Sequence, residues 1–300
     1  MAVTIRDVAK AAGVSPATVS FVLNETPTQS LRPETRERVR AAAAALGYTP
    51  HRIARALREG VSRLVVFIAG DLHGGSTASM ISGLESELRE FDHRLVVLHG
   101  PRDEDLLTAL APRAVLDYAV MDFADADLEG EGWVDGLARH ASVQVDHLVD
   151  LGHRHLAIAY PAHGTGRLLE IRLHHIRTRL QAAGLPAPVE LSVPDDRQEA
   201  AAGLTRLREQ HPEVTAVAAY DDMTAIRVLA ASTILGLRSP QDLAVIGFDE
   251  SPFSSLWTPG LTTVRIDAEG YGRRAARLAL GMPVGAWTHP PSQVVRRETT

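Results

Sequence analysis

The chain has 300 residues, 45% of them hydrophobic and 23% charged, with a formal net charge of −6 and no cysteine. That length accommodates two or three domains with at least one sizeable core, and the composition is ordinary for a globular protein. Disulfides and thiolate metal sites are excluded, no apolar run approaches the roughly eighteen residues of a membrane span, and the first residues lack the charged-then-apolar pattern of a secretory signal, so a cytoplasmic protein without membrane contact is expected.

The charge is divided unevenly. Residues 1–63 carry ten Arg/Lys against five Asp/Glu, whereas residues 64–300 carry twenty-one against thirty-two. A basic head on an acidic body concentrates attraction for phosphate at one end of the molecule. Within that head, Thr4 is a good N-cap, Asp7 can reach back to it as a short capping box, and Ile5, Val8 and Ala9 form an apolar stripe at helical spacing. Gly13 ends this helix, Ser15 caps the next, and Pro16 occupies its first position, where a missing N–H is harmless. Two short helices across a glycine turn form a helix-turn-helix, whose second helix enters the DNA major groove. Asn24 to Arg32 reads as a polar loop, and Pro33 opens a third helix to about Leu46, stopped by Gly47, with Val39, Ala42, Ala43 and Leu46 able to pack on the first two. After Tyr48-Thr49-Pro50, His51 to Arg58 can form one more short helix.

From Leu64 the pattern changes to short apolar runs at Leu64–Ala69, Leu95–Leu98, Ala114–Val120, Leu156–Tyr160, Val214–Ala219 and Leu243–Phe248. Helical stretches near 77–91, 103–110, 143–151, 167–183, 197–210, 222–236 and 267–281 alternate with them. Such alternation predicts parallel sheets covered on both faces, and the length fits two lobes better than one.

The segments TIRDVAKAAGVSPATVSFVLN and RPETRERVRAAAAALGYTPHRIARAL closely resemble the head of the LacI/GalR transcription regulators. Further matches are VDHLVDLGHR from Val145, VIGFDE from Val245 and PGLTTV from Pro259; the resemblance is strong over 1–63, good over 145–300 and weak over 70–142. It implies an all-α helix-turn-helix head (1–49), a hinge helix and linker (50–63), and an α/β periplasmic-binding-protein-like core of two parallel-sheet lobes (64–300). It further implies a homodimeric repressor that binds double-stranded, pseudo-palindromic operator DNA, with its affinity altered by a small, sugar-like effector between the lobes.

Several residues take roles from this resemblance. Thr4, Thr18 and Ser20 are short hydroxyl donors suited to phosphate oxygens, and Ser15 and Asn24 complete the polar DNA-facing set. Pro16, Ala17 and Phe21 match variable base-contacting positions; many relatives carry a polar or basic side chain at the last, where Phe21 offers only apolar contact, such as to a thymine methyl. Packing against the hinge or the partner head is the competing reading of Phe21. Leu57 matches a leucine wedged into the minor groove, Ala54, with Ile53 and Ala56, suits pairing with the partner hinge, and Arg52, Arg55 and Arg58 supply phosphate contacts. In the core, Arg172 and Asp249 match effector-contacting positions, with a structural ion pair or loop hydrogen bond as the alternative reading of each. Tyr220 before Asp221 stands where an Asn-Asp pair is common.

The chain departs from the pattern elsewhere. The opening loop Gly74-Gly75-Ser76-Thr77 lacks an aromatic, an expected aspartate is replaced near Arg139, and too few residues separate Met121 from Gln144 for two strands, which predicts a trimmed first lobe. Arg139, His140, His174 and His175 could favour an acidic ligand. A cleft altered this far leaves a second possibility open, a DNA-binding dimer that is constitutive or controlled by a partner protein. No ligand-spaced His-carboxylate set, nucleophile elbow or phosphate loop occurs, so neither a metal, a cofactor nor catalysis is expected.

Overall fold

The computed structural model describes residues 3–23, 31–48, 62–70, 75–118, 139–162, 166–285 and 292–300. They form two compact units, Met1–Ser62 and Arg63–Thr300. Asn24, the expected hinge helix with Arg52, Ala54 and Leu57, and residues 121–138 of the expected trimmed lobe lie outside the described residues.

The head contains helices α1 (Ile5–Ala12), α2 (Pro16–Leu23) and α3 (Pro33–Ala45). Asp7 Oδ2 accepts the Thr4 backbone N–H at 2.9 Å and the Thr4 hydroxyl at 2.7 Å, which satisfies donors that the first turn of α1 leaves without helical partners. Gly13 turns the chain with φ 63°, a conformation costly for any residue bearing a Cβ. Ser15 Oγ then accepts the Thr18 N–H at 3.1 Å and starts α2. Val8, Val19, Val22 and Val39 are sealed at the centre, with Ala9, Ala12 and Ala43 around them. Arg38 of α3 donates from Nε to the Ala12 carbonyl at 2.8 Å, occupying an acceptor that the end of α1 leaves open. Leu46 departs from expectation. It follows the end of α3, is 37% exposed, and Tyr48 packs on the core beyond it.

The body begins with β1 (Leu64–Gly70), α4 (Gly75–Glu90), β2 (Arg94–His99), α5 (Glu104–Leu110) and β3 (Ala114–Asp117). Among the described residues these strands form a parallel sheet in the order β2-β1-β3. Next come α6 (Ala141–Asp150), β4 (Leu156–Pro161), α7 (Gly166–Ala182), β5 (Val189–Val193), α8 (Arg197–Gln210), β6 (Ala216–Ala219), α9 (Asp222–Ile234) and β7 (Ala244–Ile246). Their strands form a second parallel sheet, β5-β4-β6-β7. Period-two alternation divides each strand between two cores: Leu156 and Ile158 of β4 face one cluster, Ala157 and Ala159 the other. In β1, Val65 and Phe67 face the large core, while Val66 and Ile68 meet Leu107 of α5.

Three strands were not anticipated. β5 mixes Glu190 and Ser192 with its apolar residues and is an edge strand, so its apolar signal is weak. β8 (Thr263–Ile266) and β9 (Ser292–Val295) form an antiparallel pair outside both parallel sheets. Between them, α10 (Glu269–Ala279) packs on α4 of the first lobe. That crossing is backbone on backbone: a Cβ on Gly83 would lie 2.0 Å from the Glu269 carbonyl oxygen, and one on Gly272 would lie 2.0 Å from that of Met80. The last residues return to the second lobe, where Thr299 exchanges backbone hydrogen bonding and its hydroxyl with Val245 of β7.

Candidate functional site

In the head, the buried pair Val19 and Val22 fixes the rotation of α2. Helical spacing then places Ala17, Ser20 and Phe21 together on the opposite face. Pro16 and Ala17 are exposed at its start, and Ser20 and Phe21 are half-buried. Thr18 is half-buried, its hydroxyl sharing a 3.0 Å hydrogen bond with that of exposed Ser15. Thr4 is exposed at the start of α1. Asp7, held by Thr4, titrates below the usual carboxylate range, the Thr4 side chain being the main cause.

In the body, the strand ends of the second lobe gather three of the four expected effector residues. Arg172 of α7 is 6% exposed. Its guanidinium lies 4.4 Å from the centre of the Tyr220 ring and 4.1 Å from that of Phe248, and Nη1 donates to the Tyr220 carbonyl. Arg172 Nε is buried without a hydrogen-bond partner. Asp249 follows Phe248 with φ 86°, a left-handed conformation rare outside glycine. Its Oδ1 accepts the Ser76 hydroxyl at 2.6 Å. Burial lifts its carboxyl above the usual range, with nearby Arg172 and the Ser76 bond opposing that shift and Asp221 adding to it. Ser76 belongs to α4, so this bond joins the two lobes. Asp221, the fourth expected residue, directs its carboxylate at its own helix, accepting the Thr224 N–H at 2.6 Å as the N-cap of α9.

Two residues behind these were not singled out from sequence. Asp222 is 1% exposed and accepts hydrogen bonds from the Ser251 N–H at 2.6 Å and the Thr263 hydroxyl. Burial pushes its pKa to about 6, against the pull of both hydrogen bonds. A Cβ on Gly247 would sit 2.1 Å from Asp222 Oδ1, so only glycine fits beside it. Gln144 of α6 is 2% exposed, and its Nε2 donates to the Ala219 carbonyl at 2.9 Å and the Gly247 carbonyl at 2.8 Å. One amide thus ties the strand ends that carry Tyr220 and Asp249. Gln144 had a readable signal, since it shares the inward stripe of Ala141, Val145 and Leu148.

Two of the four basic groups that could favour an acidic ligand are engaged or turned outward. His140 is buried, with Nδ1 2.8 Å from the Ser292 hydroxyl and Nε2 3.0 Å from the Tyr271 hydroxyl, so both ring nitrogens are engaged structurally. His174 is exposed on α7 and meets His175 in a T-shaped, edge-on contact. Among the described residues, no group of three or more His, Asp or Glu could hold a metal ion, and no helix is long and apolar enough to cross a membrane.

A helix-turn-helix unit followed by two parallel sheets, with a polar cluster at the carboxyl ends of the strands, defines a DNA-binding regulator with a periplasmic-binding-protein-like body. The comparisons agree. Family models described as "Bacterial regulatory proteins, lacI family" and "Periplasmic binding protein-like domain" match residues 4–51 and 145–300. The chain is 30% identical to the ribose operon repressor of Bacillus subtilis (strain 168), with 93% of this chain and 91% of that protein covered. It is 29% identical to the transcriptional regulator GalS of Salmonella typhimurium, covering 93% and 89%. In structure it resembles a lac repressor dimer bound to operator and an anti-inducer, at TM-score 0.75, 23% identity and coverage of 100% and 99%. The chain therefore belongs to the lacI family of bacterial regulatory proteins and is a DNA-binding transcriptional regulator. The curated relatives are named as repressors and regulators, not as enzymes.

Proposed function

We propose that this chain is a repressor that acts as a homodimer on a pseudo-palindromic operator and is tuned by a small polar effector bound by Arg172, Tyr220 and Asp249, with Asp221 alongside. The observation that carries the effector reading is the orphaned Arg172 Nε–H, a buried donor beside the Asp249 carboxyl. An unpaired buried donor costs about 1–3 kcal/mol, and a ligand hydroxyl or carbonyl would relieve that cost. A donor and an acceptor side by side, next to the Tyr220 ring, suit a sugar, a nucleoside or a related metabolite. The names of two relatives, a ribose operon repressor and a cellobiose-bound regulator, point the same way. The exposed apolar side chains Met223, Phe253 and Leu256, at 44%, 55% and 78%, support a partner copy on the second lobe. In this reading Thr4, Ser15, Thr18, Ser20, Asn24 and Arg52 meet the DNA backbone. Pro16, Ala17 and Phe21 face bases, Leu57 wedges the minor groove, and Ala54 packs at the hinge. The functional divisions are 1–49, 50–63 and 64–300.

The test is titration of the full chain with a panel of sugars, nucleosides and sugar phosphates, followed by calorimetry and operator-binding assays. One metabolite is expected to bind once per chain and shift operator affinity, and Arg172→Ala is expected to weaken that binding at least tenfold. A second reading has its own observation. The Tyr220 ring and carbonyl already occupy Arg172, which favours a filled cleft and control by a partner protein. No metabolite in the panel raising thermal stability would support that second reading against the first.

A further inference from the structure

The base preference of the head follows from α2 and rests on its assignment as the helix that enters the major groove. The residues at its start and along its outward face are Pro16, Ala17 and Phe21, with Ser20 between them. The first three carry no side-chain donor or acceptor. In the proposed function the nearby hydroxyls of Thr18, which also bonds Ser15, and of Ser20 serve phosphate oxygens instead of base edges. In the major groove guanine, adenine and cytosine are told apart by N7, O6, N6 and N4, groups that only a donor or acceptor can read. The one apolar feature on a base edge there is the C5 methyl of thymine. The apolar part of this outward face, Pro16, Ala17 and Phe21, is matched to methyl groups.

We propose that α2 reads its operator through the C5 methyls of pyrimidines, with Phe21 and Ala17 packed against them. The protein then distinguishes thymine from uracil, and accepts 5-methylcytosine in place of thymine, at the positions these two side chains face. The methyl sits at the same place on both methylated pyrimidines, and neither side chain can sense the exchange of A·T for G·C behind it. Methylation of a cytosine in such an operator would raise occupancy instead of blocking it.

The experiment begins with the full chain and a random duplex pool, from which bound sequences are selected. The best duplex is resynthesised with deoxyuridine in place of each thymidine in turn, then with cytosine and 5-methylcytosine at the sensitive positions. One uracil in a single half-site is expected to weaken binding about fourfold, the scale of one buried methyl group. 5-Methylcytosine should bind about fourfold better than cytosine there. Phe21→Ala should erase the thymine–uracil difference at one position, and Phe21→Leu should keep part of it. Because the substitutions in DNA leave the protein untouched, impaired folding of a variant cannot mimic the result. Uracil that is neutral at every position overturns the proposal, as does a uracil effect that Phe21→Ala leaves intact everywhere. A pool that enriches no sequence at all overturns the operator reading as well, and so separates the two failures.

Discussion

The head and the body solve the same problem, presenting a binding surface, in opposite ways. The head hides four valines and leaves Pro16, Ala17 and Phe21 outside its core. The body buries its polar cluster: Arg172 and Asp222 are almost sealed, and they are held by partners far away in sequence. The head's geometry comes from neighbours three or four residues apart, such as Thr4 with Asp7 and Ser15 with Thr18. The body's geometry comes from bonds such as Ser76 to Asp249, 173 residues apart. A surface made of local structure tolerates change in its outward side chains. One assembled from remote elements is sensitive at every anchor.

Three measurements would break or sharpen this contrast. The largest effect is expected from Val19→Asp, which places an unpaired carboxylate at a fully buried site and should cost the head on the order of 4 kcal/mol or more. Operator binding should vanish while the body melts unchanged in calorimetry; a parallel loss of the body transition would show that the two units do not fold separately.

Next comes the pH dependence of Asp222. Its pKa rises from 3.8 to about 6 on folding, so between those values the folded protein binds more protons than the unfolded chain and stability falls as pH rises. The penalty is absent below pH 4 and complete above about pH 6, reaching about 3 kcal/mol. Unfolding of the native chain and of Asp222→Asn, compared from pH 4 to pH 7, should diverge by that amount, with the native chain losing ground. A constant difference across the range would mean that Asp222 ionises normally.

The smallest effect is expected from Gln144→Ala. It removes the donor shared by the Ala219 and Gly247 carbonyls and should cost the body about 2 kcal/mol, without altering DNA binding by the isolated half-site contacts of the head. A change under about 0.5 kcal/mol would place those carbonyls on another donor.

Legibility in the sequence follows the same division. Thr4, Asp7, Gly13, Ser15 and Pro16 announce the helix-turn-helix because caps and stops act within a single turn. Arg172, Tyr220 and Asp249 were found through motif resemblance, and their convergence was not visible in any one segment. Ser76 stood in view within a loop noted for lacking an aromatic, but nothing local announces a partner 173 residues away. Asp222 was masked by Asp221, whose place in a familiar motif drew attention while its neighbour took the buried position. β8 and β9 escaped because their pairing is outside the strand–helix alternation that revealed the other strands.

The crossing of α4 and α10 through Gly83 and Gly272 also bears on how the chain comes into being. The head is a compact unit of its own over Met1–Ser62, so it can fold soon after it leaves the ribosome. The first lobe cannot, because the helix that covers α4 is supplied only by residues 269–279, far later in the chain than α4 itself. Until residues 269–279 emerge, a finished DNA-binding unit is therefore tethered to a core still missing a wall, and a product truncated before them would keep the head without a complete regulatory body.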